Sequence, residues 1–369
     1  MRPSLKRLTA PVYAVTVVAL VAAASPATAA VGSGGGHHPK PPKPPTPTLS
    51  WDVKTVDADQ SFRGLDAVDR RTAWVTGASV SGGSAKVYRS TNGGRAWEDV
   101  SPPETAGLNF RDVEAQDART ATVLAIGEGE ASRIYRTTNG GRTWAETFRN
   151  TEPTAFYNCM DFYPGGKRGL AVSDPVDGKF RIISTHDGGR SWSVLPTKGM
   201  PDSTGEANFS ASGDCLTISG HDAWFGSGGA KSRIFHSRDG GLRWTATDST
   251  IPAGEAAGVF GLAFKNPREG VAVGGDFAAP ADGVDASATT RNGKSWRSGG
   301  DLAHLGEDAA YARRSLVVVG ESGDVGGSSV STDGGRSWKQ FSTVGFHTLD
   351  CTSDGACWAA GGKGRVGTL

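Results

Sequence analysis

Hydrophobic residues in this chain fall into short runs separated by turns rich in Gly, Asn, Asp and Ser. The first four runs are Phe62–Val68, Thr72–Gly77, Lys86–Arg89 and Trp97–Val100, and a similar series follows over residues 110–148. Hardly any segment has the 3.6-residue period of an amphipathic helix. Short strands with turn signals at regular spacing are typical of all-β proteins. The pattern therefore predicts an all-β fold made of four-stranded units.

One short motif recurs along the chain at a nearly constant interval. Its copies are Ser90–Trp97, Thr137–Trp144, Thr185–Trp192, Ser237–Trp244, Thr290–Trp296 and Ser331–Trp338, the fifth being one residue short. The closing tryptophans are Trp97, Trp144, Trp192, Trp244, Trp296 and Trp338, in steps of 42 to 52 residues. A fixed period of this size indicates a solenoid or a propeller.

Each copy of the motif has the chemistry of a tight turn. Its third residue is Asn or Asp, namely Asn92, Asn139, Asp187, Asp239, Asn292 and Asp333. Such a side chain accepts hydrogen bonds from nearby backbone N–H groups, and the glycines that follow adopt positive φ without a steric clash. The tryptophan then returns to the core. We therefore interpret these residues as structural, rather than as catalytic acids or metal ligands.

The pattern S-x-D-x-G-x-[ST]-W in these turns resembles the Asp-box of bacterial neuraminidase (BNR) repeats. The resemblance extends over roughly residues 49–369. Among BNR-repeat families, the chain is most similar to the photosystem II stability/assembly factor-like propellers. Ser173–Phe180 (SDPVDGKF) and Gly226–Lys231 (GSGGAK) resemble the secreted bacterial branch of that group. The resemblance implies a propeller that holds a polypeptide or a cofactor-bearing partner without catalysing a reaction.

The two ends of the repeat region set the predicted number of blades. The chain from Phe346 to Leu369 contains three strands and stops before another turn motif. Residues 51–56 match the strand that follows a motif tryptophan, so we expect them to complete the last blade and to close the ring. The prediction is a single seven-bladed propeller of four-stranded antiparallel blades over residues 49–369.

The N-terminal region has the composition of an export signal followed by a spacer. Basic residues, an apolar run over Val12–Ala24 and small residues up to Ala30 predict a secretory signal peptide over residues 1–30. Residues 31–48 are rich in Gly, Pro and Lys and predict an extended linker. We expect a secreted protein with no membrane span after signal removal, and Lys40 and Lys43 are compatible with association with an anionic cell wall.

Four cysteines in an exported chain suggest two disulfides. Cys351 and Cys357 flank a tight link, so we pair them across one hairpin. Cys159 and Cys215 align to equivalent positions on the inner strands of neighbouring blades, where a bridge would join blade to blade. The alternative for each pair is two buried thiols.

The charge balance and the motifs disfavour several classes of ligand. Lys and Arg number 39 against 38 Asp and Glu, which leaves no basic field for nucleic acid. No G-x-G-x-x-G motif leads from a strand into a helix, and no His or Cys group has the spacing of metal ligands. We therefore expect neither a cofactor nor a metal. The expected partner is a protein or glycan in the cell envelope or outside the cell, bound by a monomer.

Candidate binding residues lie on the face opposite the turn motifs, where loops surround the central channel. Two long loops, Pro196–Ala211 and Gly275–Ala288, converge there with the loop at Ser173–Phe180. We predict a polar cleft over blades 3 to 5 that includes Tyr157, Asn158, Asp174, Asp177, Glu206, Asn208 and Asp276, with Arg63 and Arg111 nearby. The alternative for each residue is a solvated loop position or a cap of its own turn.

Two enzymatic alternatives remain open. A sialidase-type glycoside hydrolase would need three arginines, a Tyr–Glu nucleophile pair and an Asp acid. Arg63, Arg111 and Tyr157 supply only part of that set, although two carboxylates such as Asp174 and Asp276 would serve other glycoside hydrolysis at the right spacing. An oxidoreductase with a bound redox group is the second alternative. A propeller fold does not decide between these, because propellers carry many unrelated activities.

Overall fold

The computed structural model describes residues 49–369. Apart from four short 3-10 helices, the regular structure in this range is entirely β-strand; the helices are Gly129–Ala131, Thr197–Gly199, Gly213–Cys215 and Gly362–Gly364. None of them is long and apolar enough to cross a membrane. The predicted signal peptide (1–30) and linker (31–48) lie outside the described residues.

The strands form seven antiparallel sheets, named blades 1 to 7 in chain order. Each contains four blade strands numbered from the channel outward, and the short strands Glu206–Ala207 and Gly228–Gly229 extend the sheet of blade 5. Blade 1 consists of Gln60–Ala67, Ala73–Ser79, Lys86–Ser90 and Glu98–Asp99. Blade 2 consists of Phe110–Ala115, Ala121–Ala125, Arg133–Thr137 and Ala145–Arg149. Blade 3 consists of Tyr157–Phe162, Gly169–Val176, Lys179–Thr185 and Ser193–Val194. Blades 4 and 5 consist of Leu216–Ser219, Asp222–Gly226, Arg233–Ser237, Thr245–Asp248; and Ala257–Asn266, Glu269–Asp276, Ser287–Thr290, Arg297–Ser298. Blades 6 and 7 consist of Asp308–Ala312, Ser315–Ser322, Val325–Ser331, Lys339–Ser342; and Thr348–Cys351, Cys357–Ala360, Arg365–Thr368, Asp52–Thr55. The predicted seven-bladed all-β propeller is confirmed.

Blade 7 combines the two ends of the described chain. Asp52–Thr55 is its outermost strand and pairs antiparallel with Arg365–Thr368, with Asp52 opposite Thr368. The strand expected over residues 51–56 occupies this position. The inner strands also contact one another in sequence around the ring, and that of blade 7 contacts that of blade 1.

The hydrophobic core consists of layers between blades. Seven clusters of buried residues occur in the described range, and each combines side chains from two neighbouring blades. Trp74 and Phe110 share the cluster between blades 1 and 2, for example, whereas Trp358 and Phe62 share the one between blades 7 and 1. Because each blade is covered on both faces, its second strand is largely buried on both sides, as in Ala121–Ala125, whereas the outermost strand is exposed, as in Asp52–Thr55.

The repeated turns have the hydrogen bonds that their sequence predicts. In blade 6, the Ser331 hydroxyl accepts from the backbone N–H of Gly335 at 2.9 Å, and Asp333 Oδ1 accepts from the N–H of Ser337 at 3.1 Å. Four other turns repeat this pattern at 2.9–3.0 Å. In the short turn of blade 5, the donors of both bonds lie one residue closer in sequence; they are the backbone N–H groups of Gly293 and Ser295.

Carboxylates connect the inner strands of successive blades. The inner edge of each blade carries N–H groups that its own sheet leaves unpaired, and buried N–H groups need acceptors. Aspartates of one blade accept from backbone N–H groups of the next at 2.5–2.9 Å; the pairs are Asp66 with Ala115, Asp112 with Met160, Asp161 with Ile218, Asp308 with Leu349, and Asp350 with Ala67. These contacts link five of the seven neighbouring blade pairs.

Both predicted disulfides are present. Cys159–Cys215 joins blade 3 to the start of blade 4, and Cys351–Cys357 crosses the hairpin between the first two strands of blade 7. Two disulfides fit an oxidising compartment.

The channel carboxylates predict a characteristic pH dependence of stability. Burial raises the pKa of Asp161 and of Asp308 to about 7, and burial together with the charges of Asp308 and Asp350 raises the pKa of Asp214 well above its ordinary value. The folded state therefore binds more protons than the unfolded chain between about pH 4 and pH 7, so stability falls as the pH rises through this window. Buried His236 and His304, whose pKa values are lowered, act in the opposite direction below about pH 6.5.

We expect Asp214→Asn to remove one of these repulsive charges. Urea unfolding should show a gain of about 1–3 kcal/mol at pH 8 and little change at pH 5. Asp324→Asn, at an exposed turn, is the control and should change neither value. An equal gain at both pH values would show that charge in the channel is not the cause.

The disulfides should differ in their contribution to stability because they close loops of different length. Cys159–Cys215 spans 56 residues and Cys351–Cys357 spans 6. The chain-entropy relation then predicts losses of about 4 and about 2 kcal/mol for the double Cys→Ser variants, respectively. Equilibrium denaturation of the two variants tests this order, and the reverse order would contradict it.

Candidate functional site

Four inner strands carry a β-bulge near their starts, and each bulge places one side chain at the mouth of the channel. The ladder skips Arg63 in blade 1, Arg111 in blade 2, Asn158 in blade 3 and Phe260 in blade 5. A bulge inserts one unpaired residue and changes the direction of its side chain. All four side chains line one pocket.

The pocket has a volume of about 430 Å³ and lies where the inner strands begin and the second strands end. In an antiparallel blade this is the end opposite the repeated turns, which follow the third strands. The pocket is lined by Arg63, Arg111, Phe156, Asn158, Asp174, Ala207, Asn208, Phe209, Ser210, Ala211, Phe260, Phe277, Glu307, Glu321, Ser322 and Gly323. It is thus formed by blades 1, 2, 3, 5 and 6 and by the connection before blade 4.

The connection between blades 3 and 4 forms the apolar wall of the pocket. Its strand Glu206–Ala207 pairs with Gly228–Gly229, which in turn pairs with Gly258 on the inner strand of blade 5. This addition makes the sheet of blade 5 six-stranded. It carries Phe209 into edge-to-face contact with Phe260 at 5.5 Å and with Phe277 at 6.0 Å between ring centroids.

Phe277 remains half-exposed in this wall. Its exposed fraction is 50%, and it is the only aromatic residue among the strongly exposed large hydrophobic side chains of residues 49–369. An exposed aromatic ring beside a polar pocket is a frequent feature of binding sites.

A first polar network holds the blade 3 side of the pocket. Asp174 Oδ1 accepts from Asn158 Nδ2 at 2.9 Å and from the backbone N–H of Asn208 at 2.8 Å. Ser210 donates to Asn158 Oδ1 at 3.0 Å. Burial raises the pKa of Asp174 to about 6, although these hydrogen bonds oppose the shift. These hydrogen bonds attach the connection between blades 3 and 4 to blade 3.

A second network centres on buried Glu307, at the start of blade 6. Its carboxylate contacts Arg63 Nη1 at 3.2 Å and His347 Nδ1 at 2.7 Å, and it accepts from the backbone N–H of Glu321 at 2.8 Å. Burial alone would raise the pKa of Glu307. The neighbouring His347 and Arg63 and the hydrogen bonds outweigh burial, so its pKa lies below the ordinary value.

Arg111 differs from Arg63 in its lack of partners. Arg63 bonds to Glu307 and to the carbonyl of Ala211, whereas the guanidinium of Arg111 makes no hydrogen bond or ion pair to the described residues, and its Nε is buried. Burial lowers the pKa of Arg111 to about 9, and the like charge of Arg63 contributes further. Arg111 therefore presents unused donors to the pocket.

Five of the nine predicted binding residues line the pocket: Arg63, Arg111, Asn158, Asp174 and Asn208. The pocket also reaches blades 1, 2 and 6, beyond blades 3 to 5, over which the cleft is predicted. The bulges explain this difference, since they turn side chains of separate blades toward the common axis.

The other four predicted residues lie outside the pocket. Tyr157 is fully buried in the core, where its ring packs edge-to-face on Phe148 at 5.3 Å; it neighbours the bulge but points the opposite way. Glu206 is buried against Arg233, whose Nε donates to Oε2 at 3.0 Å.

Asp177 and Asp276 instead hold their own turns. Asp177, at φ 52°, and Gly178, at φ 73°, form the two-residue turn between Val176 and Lys179. Both residues at positive φ are typical of a type I′ hairpin. Asp276 Oδ1 accepts from the backbone N–H of Ala278 at 2.8 Å.

Sequence reasoning missed Glu307 and the phenylalanine wall. Glu307 lies directly before the inner strand of blade 6, and no local pattern in the sequence separates it from other loop carboxylates. Phe209 and Phe260 carry no local signal that separates a pocket wall from core. Within residues 49–369, no group of three His, Cys, Asp or Glu side chains is arranged to hold a metal ion.

No protein-family model and no curated protein matches the sequence. Solved structures do match. YCF48 bound to D1 peptide is 16% identical with a TM-score of 0.60, covering 86% of this chain and 94% of that chain. YCF48 from Cyanidioschyzon merolae is 14% identical with a TM-score of 0.57, at coverages of 86% and 98%. A streptogramin B lyase structure is 10% identical with a TM-score of 0.60, at coverages of 86% and 97%.

The chain shares the fold of these propellers. The expected resemblance to photosystem II assembly factor-like propellers is confirmed at the level of the fold. Sequence identities of 10–16% support a shared architecture and no further shared property.

The Glu307 network should contribute strongly to stability. Glu307→Gln leaves Arg63 without its counter-ion beside Arg111, and we expect a loss of about 2–4 kcal/mol in urea unfolding. Glu98→Gln is the matched control, because Glu98 pairs with Arg89 but has 66% of its side chain exposed. The control should change stability by less than about 1 kcal/mol. Equal losses in both variants would contradict a special role for the buried pair.

Proposed function

We propose that this protein is a non-catalytic binding propeller that holds a segment of a partner polypeptide at the mouth of its channel. The proposal rests on one observation: the same pocket contains Arg111, which has unused hydrogen-bond donors, and the half-exposed ring of Phe277. A guanidinium group takes a carboxylate or carbonyl oxygen, and an aromatic wall takes an apolar side chain.

The carboxylates of the pocket support binding rather than hydrolysis. Asp174 is held by Asn158 and Asn208, and Glu307 by Arg63 and His347. Glu321 pairs with Arg365 at 2.6 Å. Each therefore already serves the scaffold. A sialidase-type site built on Tyr157 is not favoured, since that residue lies in the core.

A solved propeller of similar fold provides a precedent. YCF48 has been determined with a D1 peptide bound. We infer that the present chain also takes a peptide ligand, one suited to its own pocket. A glycan partner is the alternative.

We further propose that the protein works outside the cell. The basic and apolar N-terminal segment, the Pro-rich linker and the two disulfides support export to an oxidising compartment. The basic residues of the linker support contact with an anionic cell wall.

Selection from a displayed peptide library tests the proposal. We expect enriched peptides to combine an acidic group or free C-terminus with a neighbouring apolar residue. Arg111→Met and Phe277→Ser should each weaken binding of the selected peptides by about 5- to 150-fold in fluorescence anisotropy, equivalent to about 1–3 kcal/mol for a lost anchor.

Arg149→Met is the matched control, because Arg149 lies on an outer strand with 43% of its side chain exposed. It should leave affinity unchanged. Failure to enrich any peptide that depends on Arg111, or binding of a sialic-acid analogue or glycans at this pocket instead, would overturn the proposal.

A further inference from the structure

On the face of the repeated turns, neighbouring blades meet in clefts that side chains usually fill. In blade 1, Arg89 directly precedes the turn, and its Nη1 donates to the carbonyl of Gly140 in the next turn at 3.1 Å. Arg136 occupies the same position in blade 2, and its Nε donates to Gly188 at 2.6 Å. These arginines hold each turn against the following one.

Other side chains fill three further clefts. Trp224 of blade 4 donates from Nε1 to the carbonyl of Gly293 at 2.8 Å. Arg168 of blade 3 lies against Gly240, and Trp358 of blade 7 lies against Gly94. A side chain therefore spans each of these five clefts.

The cleft between blades 5 and 6 is different. The residue before the turn is Thr289, which pairs with Val271; its methyl group lies against Gly335 but does not extend to Gly334 as an arginine would. A Cβ added at Gly334, the equivalent of Gly140 and Gly188, would meet no atom within 4 Å. The turn of blade 5 is also one residue short. The result is a pocket of about 620 Å³, compared with about 300 Å³ between blades 1 and 2.

This pocket is strongly basic. Its lining includes six cationic side chains and two carboxylates. Lys265 pairs with Glu269 at 3.6 Å, and Arg313 donates to the carbonyl of Asp354. The other four cations have exposed side chains that make no hydrogen bond or ion pair with the part of the chain that is described: Arg291, Arg297, Arg314 and Arg336.

Four unpaired guanidinium groups around one concavity repel one another, so the site favours an anionic ligand. Guanidinium forks match the oxygens of phosphate and sulfate groups, and the pocket volume falls within the range of about 300–1,000 Å³ for small-molecule sites. The chain as a whole has a net charge of only +1, so this charge is a local feature.

We propose that the cleft between the turns of blades 5 and 6 binds a ligand with several phosphate or sulfate groups. This site is separate from the central pocket, which lies at the opposite end of the blades. The proposal rests on the absence of an arginine or tryptophan side chain spanning this cleft and on the four unpaired arginines. It does not depend on peptide binding.

Isothermal titration calorimetry with tripolyphosphate and with a sulfated heparin tetrasaccharide tests the site. We expect binding of at least one probe that weakens as salt is raised. The double variant Arg291→Ala/Arg336→Ala should reduce affinity by at least about 10-fold, as expected when two charge-assisted contacts are lost.

Thr289→Arg provides a second and more specific variant. It restores the residue found at the same position in blades 1 and 2, adds positive charge and fills the cleft. We expect it to weaken binding, whereas attraction by surface charge alone would strengthen it. Arg95→Ala, at an exposed arginine in the turn of blade 1, is the control and should leave affinity unchanged.

The two probes distinguish the possible sources of the anion. Binding of tripolyphosphate alone supports a free oligophosphate, and binding of the tetrasaccharide alone supports an anionic glycan. Binding of neither probe would overturn the proposal. Equal weakening by Arg95→Ala, or tighter binding by Thr289→Arg, would also overturn it.

Discussion

The structure depends on how seven inner strands meet around one axis. Each of these strands has an edge that its own sheet does not pair, and its N–H groups are too buried to be left without acceptors. Aspartates solve this problem at five of the blade junctions, where a carboxylate of one blade accepts from the backbone of the next. The solution has a cost, because burial raises the pKa values of the carboxyls involved and places their charges close to one another in the channel. Ring formation and channel electrostatics are therefore consequences of the same contacts.

The bulges of the inner strands connect this scaffold to the central pocket. Each bulge inserts one residue into its strand and turns the side chain of that residue out of the blade layer and toward the axis. Arg63, Arg111, Asn158 and Phe260 meet in this way although they belong to four blades. Added chain completes the pocket, because the connection before blade 4 brings Phe209 across the mouth. A rigid ring with variable connections is a common basis for binding sites.

The two faces of the ring use the repeat differently. On the pocket face, the pocket is lined by residues that do not belong to the repeated motif, such as the bulged arginines and Glu307. On the turn face, the repeat itself is structural, and the feature of interest is a position where it is incomplete. Thr289 stands where two other blades have an arginine, and the turn that follows is one residue short. The cleft is open at this position because the arginine found in the other two blades is replaced by a smaller residue.

The sequence by itself determined the seven-bladed all-β architecture, the positions of the turns and both disulfide pairings. It could do so because turn hydrogen bonds, strand alternation and cysteine spacing are local or repeat every blade. Five of the nine residues that it suggested for binding line the central pocket. Only the tertiary structure decided the rest. A bulge that shifts the register by one residue decides whether Tyr157 or Asn158 faces the pocket. Arg233, 27 positions away from Glu206, decides whether the Glu206 carboxylate is available to a ligand. Glu307 likewise acquires its role from Arg63 and His347, which only closure of the ring brings to it.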